Sequence, residues 1–314
     1  MTTDNTKLEY AKLATHFYKR LHDKSIPLTA KNIADELSAC APEYRPAYWR
    51  RLRCALVYHQ DFLGYGDASK RIHKVINLVT VKSSTVTVKP KQNRVKTISL
   101  ADEVALIDYF KQRNDISMIA AIRIFQLSGI RPAELANITV ESNKLIIVGA
   151  KKSHNGTRGA DRVLQFEGAD PQILQYLVRH AQMTDIGSMQ DRLRSAGKRL
   201  WPRRKSVPTF YSWRHQLGSE LKRSGLDRLH IAYLMGHQAT ASVDRYGNRK
   251  TAKGGKLPSC PTDADLSQIR ITHNPLPVDN KNYCKSAMQK TEPESKKEDN
   301  SNISMKGLAA YISR

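Results

Sequence analysis

The stretch Tyr211–Tyr246 reads YSWRHQLGSELKRSGLDRLHIAYLMGHQATASVDRY. Apolar residues at helical spacing place Arg214 on one helix, which Gly225 ends, and Asp227 caps a second helix that Gly236 stops. His237 follows that stop directly, and Tyr246 comes nine residues later. An arginine, a Gly-His pair and a tyrosine at these spacings can surround one phosphate.

A second segment gives this one its meaning. In SGIRPAEL, Ser128 to Leu135, Arg131 follows a glycine at the end of an apolar helix. A guanidinium stays charged and presents a planar fork of donors that matches phosphate oxygens. A pair of them can neutralise the charge that develops during phosphoryl transfer. Glu134, one turn on, can hold the Arg131 guanidinium. The plainer alternative for either arginine is a surface ion pair. Among thirteen tyrosines, most of which pack, position relative to His237 singles out Tyr246. Tyr233, inside an apolar helix, and Tyr211, just before Arg214, read as core or site-lining groups.

Composition sets the bounds. The chain has 314 residues, enough for two domains with cores, and 40% hydrophobic content. Its formal net charge of +23, from 52 Lys and Arg against 29 Asp and Glu, points to a polyanionic partner. Charge alone also fits ribosomal and membrane-surface proteins. The N-terminus MTTDNTKLEY has no basic segment followed by an apolar run, and no stretch approaches a membrane span, so the expected location is cytoplasmic, with the nucleoid. Cys40, Cys54, Cys260 and Cys284 form no CxxC pair, which predicts reduced thiols and neither a disulfide framework nor a metal site.

The predicted fold class is mainly α with a small β-hairpin, in two domains. Residues 1–78 form a bundle of four short helices. The first carries Tyr10, Leu13, Ala14, Phe17 and Leu21 inward, the second starts at Thr29, the third runs through Trp49, Leu52 and Leu56, and the fourth lies around Ile72 to Ile76. Arg50, Arg51 and Arg53 beside Tyr48 and Trp49 offer a basic surface that can grip a duplex backbone, or else a solvated charge run next to a core aromatic. Residues 79–98 read as an extended basic linker in which Lys89, Lys91 and Arg94 can track phosphates. A capping signature at Ser99 opens a second domain over 99–250. Its strands are KLIIV, Lys144 to Val148, and RVLQF, Arg162 to Phe166, followed by helices near 171–182 and 189–200. Residues 251–314 read as a polar, largely disordered tail, with 290–302 the most polar part and 305–314 able to dock as a short helix. The Lys-Lys-Ser stretch is no phosphate-binding Walker loop, because Ala150 stands where that loop needs glycine.

Four elements in order resemble the tyrosine recombinase family, the phage-type integrases: the Gly-Ile-Arg-Pro-Ala-Glu-Leu box, the Arg214-His215 pair, the Leu-Met-Gly-His box and Tyr246. The resemblance covers roughly Ser99 to Tyr246. It implies a helical core-binding domain at the N-terminus and an α+β catalytic domain. It further implies a site-specific recombinase that cleaves and rejoins duplex DNA through a covalent 3′-phosphotyrosine, with no cofactor and no metal.

Carried over residue by residue, the resemblance makes Tyr246 the nucleophile and gives Arg131, Arg214 and His237 the scissile phosphate. Glu134 and His215 support them. The family's general acid is a lysine on a β-hairpin turn, which Lys151 matches best and Lys152 next. One departure stands out: Tyr211 occupies a position where the family usually has histidine or lysine, so a phenol hydroxyl takes over that contact. His154 and His230 read as surface residues. The implied partners are double-stranded DNA, three further copies in a homo-tetramer on two duplexes, and accessory DNA-bending proteins, with no membrane. Two rival readings share the fold: a type IB topoisomerase-like or telomere-resolvase enzyme with the same chemistry, and a DNA-binding regulator that does not cut.

Overall fold

The computed structural model describes residues 3–91, 93–150 and 159–272. The chain divides into two compact units, Met1–Asn93 and Arg94–Arg314. No helix among the described residues is long and apolar enough to cross a membrane.

The first unit holds four helices: α1 (Asp4–Asp23), α2 (Ala30–Ala39), α3 (Pro46–Phe62) and α4 (Gly66–His73). Thr3 and Thr29 cap α1 and α2 by accepting backbone N–H groups, which satisfies donors that the first turn leaves free. The inward stripe of α1 is Ala14, Phe17 and Leu21, and it meets Ile33, Leu37, Trp49, Leu52, Leu56 and Ile72 in one core. Trp49 belongs there because its indole N–H donates to the Leu37 carbonyl at 2.7 Å. The fourth helix lies earlier than the expected 72–76 and ends at His73, with Ile72 its buried anchor. Gly66 at its first position is a weak helix former and obscured that start.

The second unit is built around α6 (Ile116–Ser128), whose residues Met118, Ala120, Ala121, Ile122, Ile124 and Phe125 are all buried. A helix so largely apolar and buried belongs in the middle, and its partners pack against it. These are α5 (Leu100–Lys111), α7 (Pro171–Gln182) and α9 (Phe210–Arg223), while α8 (Ile186–Leu200) packs on α5 and α10 (Arg228–Leu234) on α9. Phe125 of α6 stacks on Phe210 of α9 with ring centres 4.2 Å apart.

Three antiparallel strands in the order β1-β2-β3 complete the unit: β1 (Ile138–Glu141), β2 (Lys144–Ile147) and β3 (Arg162–Gln165). The hairpin expected from sequence is β2-β3, paired from Lys144 with Gln165 to Ile147 with Arg162. The additional edge strand β1 was hidden because four residues are too short for a clear alternation.

Residues 252–272 depart from the expected polar tail. Ser259 bridges Gln165 at the end of β3, Arg270 bridges Ala239, and Ile269 is buried in the core. The apolar residues that anchor this run, Leu257, Cys260, Leu266 and Ile269, have no helical or strand period, so the sequence offered nothing to read. The tail expected over 273–314, with Cys284, lies outside the described residues.

Candidate active site

Two helix ends create the site. Helix α6 ends on Gly129 (φ +53°) and α10 is followed by Gly236 (φ +61°), both left-handed positions that favour glycine. At α10 the cap is complete: Gly236 N–H donates to Tyr233 and His237 N–H to Ala232, each at 2.8 Å. His237 is thus fixed in space by the backbone that precedes it. The carbonyls exposed at these ends carry the negative pole of their helices, and arginines occupy them.

Arg214, fully buried on α9, donates from Nη1 to the Gly129 carbonyl at 2.6 Å and from Nη2 to the Met235 carbonyl. Its Nη2 also lies 3.1 Å from His237 Nε2. Arg131 donates from Nη2 to the Gly236 carbonyl at 3.0 Å and from Nη1 to Glu134 Oε1 at 2.5 Å. Glu134 is fully buried, and its Oε2 accepts the Arg131 backbone N–H and Nη2 of Arg162, at 2.9 and 3.0 Å.

Tyr246 follows a 3₁₀ turn (Thr240–Arg245) and lies across α9. Its ring stacks on His237, with centres 5.1 Å apart, sits 5.0 Å from the ring of His215, and has the Arg214 guanidinium 4.8 Å from its centre. Tyr211, Arg214, His215, Gly218 and Lys222 share one face of α9 by their spacing. Gly218 lets α9 and Tyr246 approach closely, because a Cβ there would press on Tyr246 Cβ at 3.1 Å. Lys222 donates to the Tyr246 and Gly247 carbonyls at 2.6 and 3.1 Å. Gly247 (φ +67°) lies so close to the α9 backbone that no side chain fits.

The charges are strongly coupled. Burial, with Arg131 and Arg162 nearby, pushes Arg214 down to about 9. Burial, with Arg214, Arg131 and Arg162 nearby, holds His237 down to about 2, so its imidazole is neutral at physiological pH. Burial alone would raise Glu134, but Arg162 and Arg131 hold it down to about 2. Burial raises the Tyr211 phenol, an effect that nearby Tyr246 adds to and Arg214 and Arg131 oppose.

No family profile matches this chain, and no curated protein does. Among solved structures it is similar to a lambda integrase dimer bound to a COC′ core site, with TM-score 0.52 and 14% identity over 82% of this chain and 75% of that one. The fold is that of a tyrosine recombinase. A Tn1549 transposon integrase in complex with transposon right end DNA (TM-score 0.47, 13% identity, 81% and 91% covered) and XerA recombinase (0.35, 17%, 77% and 87%) are also similar.

Within this tyrosine-recombinase fold, Arg131, Glu134, Tyr211, Arg214, His215, His237 and Tyr246 come together in the second unit. Lys151, Lys152 and His154 lie outside the described residues. The base of their hairpin is pinned by the Gly149 N–H, which donates to Asp161 Oδ1 at 2.8 Å. Of the residues singled out for DNA contact, Arg94 belongs to the second unit and acts electrostatically on His215, and the others belong to the first unit. Arg50, Lys91 and Arg94 are exposed, Arg51 pairs with Glu9, Arg53 donates to the Val75 carbonyl at 2.9 Å, and Lys89 donates to the Glu43 carbonyl at 2.7 Å. His230 pairs with Asp227, its Nδ1 2.6 Å from Oδ2.

Sequence reading passed over Arg162 and Lys222. Arg162 shares the inward side of β3 with Leu164, and a charge on that side of a strand was the signal available. Lys222 carried a weaker one, its place eight residues after Arg214 on the same helix.

Proposed function

We propose that this chain is a site-specific DNA recombinase of the integrase type that cuts and rejoins strands through Tyr246. The observation that carries this reading is the packing of the Tyr246 ring against Arg214 and His237, with Arg131 anchored beside them at Gly236. A nucleophilic phenol is useful to phosphoryl transfer only where cations meet the same phosphorus, and a binding module has no use for that juxtaposition.

The Tyr246 oxygen attacks the scissile phosphorus as the bond to the 5′ oxygen breaks, leaving a 3′-phosphotyrosine and a free 5′ hydroxyl. Arg131 and Arg214 take the non-bridging oxygens, whose charge grows in the transition state. His237, held neutral, serves as a hydrogen-bonding group; its Nδ1 is buried without a partner among the described residues. Lys151, or Lys152, gives the proton to the leaving 5′ oxygen, and Tyr211 donates a hydrogen bond to the phosphate. Attack by a 5′ hydroxyl from a second duplex reverses the chemistry and exchanges strands without loss of bond energy. The exposed Arg50, Lys91 and Arg94 supply phosphate contacts, and four copies on two duplexes complete the exchange in the nucleoid.

The test begins with duplexes that the protein retains from a random-sequence pool, remade with a nick near the centre so that cleavage is trapped. A covalent adduct on a denaturing gel, absent with Tyr246→Phe, is the expected result. Tight binding with no adduct from either protein would sink this reading and favour a regulator that binds DNA without cutting it. Relaxation of supercoiled DNA without strand exchange would instead place the chain with topoisomerase-like enzymes.

A further inference from the structure

Arg162 is a fully buried charge for which the proposed chemistry has no use, and its surroundings show what it does. Its Nη2 holds Glu134 Oε2 at 3.0 Å, while Arg131 takes Oε1. Its Nη1 faces Gly236, where an added Cβ would collide with it, and Nε and Nη1 have no hydrogen-bond partner among the described residues. The next residue, Val163, donates its N–H to the Tyr233 hydroxyl at 3.0 Å, so β3 is fastened to α10 beside Arg162. Residue 162 therefore touches both supports of Arg131, the Glu134 carboxylate and the Gly236 peptide.

We propose that Arg162 is a positioning residue for DNA strand cleavage: by occupying Glu134 Oε2 and the space beside Gly236, it fixes Arg131 and His237 relative to each other. The proposal rests on the strand-cleavage reading above. A carboxylate held by Arg131 alone would turn toward it and draw its guanidinium away from the phosphate. The left-handed turn at Gly236 would also lose the group that fills its concave side. Because Arg162 opens β3, paired with Ile147 of β2, it ties that strand pair to the arginine clamp.

Charge gives a readout that packing alone would not move. Glu134 is faced by Arg131 and Arg162 directly, and by Arg214, His237 and Tyr211 at longer range. Loss of one of its two direct partners raises its titration, so the acid limb of cleavage moves to higher pH.

The experiment uses the full chain and the nicked duplex selected above. Arg162→Met is expected to slow adduct formation by about 100-fold, the scale of a misplaced reacting group, with unchanged duplex affinity. Its acid limb shifts upward, Arg162→Lys recovers part of the rate, and Arg131→Met/Arg162→Met is no slower than Arg131→Met alone. A wild-type rate in Arg162→Met, or fully multiplying effects in the double variant, overturns the proposal. Should Arg162→Met fail to fold, Arg162→Lys and Gly236→Ala, which places a methyl against Nη1, carry the test, and wild-type rates in both overturn it. Absence of an adduct from the wild-type protein is a different failure: the cleavage reading falls, and the role of Arg162 in cleavage falls with it.

Discussion

The arginines of α3 and those of the candidate active site come from the same basic chain and end in opposite environments. Arg50 and Arg51 are exposed, and the Arg51–Glu9 pair is about half exposed on both sides. Arg162 and Arg214 have almost no exposed surface, and Arg131 little more. The first group can release counterions from a polyanion and contributes little to folding; the second is held by helix-end carbonyls and one carboxylate at a large desolvation cost. An arginine's work is therefore set by its acceptors, and local sequence shows little of that.

The sharpest way to break this contrast is Arg214→Lys. Lysine keeps the charge but cannot span Gly129, Met235 and His237, and adduct formation on the nicked duplex is expected to fall by about 10²–10³-fold. Arg51→Lys should leave that rate unchanged.

Next comes Glu134→Gln, which leaves two buried guanidiniums facing a neutral amide. Chemical denaturation should show a loss of about 3–5 kcal/mol. A loss below about 1 kcal/mol would mean that the cluster behaves like a surface pair.

Acid sharpens the same point. The folded Glu134 lies at about 2 against a usual 4.5, so its stabilising contribution is present above pH 4.5 and is lost as pH falls toward 2. Acid unfolding followed by circular dichroism should show this loss in the wild type, and Glu134→Gln should lack it.

The smallest effects belong to α3. Arg50→Ala and Arg51→Ala should each change stability by less than about 1 kcal/mol. If these residues contact phosphates, each should also lower the slope of log affinity against log salt by about 1. An unchanged slope would remove α3 from the DNA-contacting surface.

Much of the fold was legible because its signals are local. Thr29, Ser99 and Asp227 cap helices as expected, and Phe17, Leu21, Leu37 and Trp49 face inward by period. Gly129 and Gly236 were readable as helix stops, which located Arg131 and His237 beside them. The return of 252–272 to β3 was not legible, because it depends on a partner distant in sequence.

By itself the sequence determined most of the helices, the caps at Thr29, Ser99 and Asp227, the stops at Gly129 and Gly236, the basic charge, and the order in which Arg131, Arg214, His237 and Tyr246 occur. These follow from spacing and from the φ preferences of single residues. Tertiary structure alone decided that Arg162 shares Glu134 with Arg131, that Lys222 holds the Tyr246 backbone, and that Arg51 and Arg53 are turned to Glu9 and Val75. The reason is physical: the fate of a charged side chain is set by burial and by its acceptors, and those acceptors lie 22 to 42 residues away in sequence for all but the Arg131–Glu134 contact.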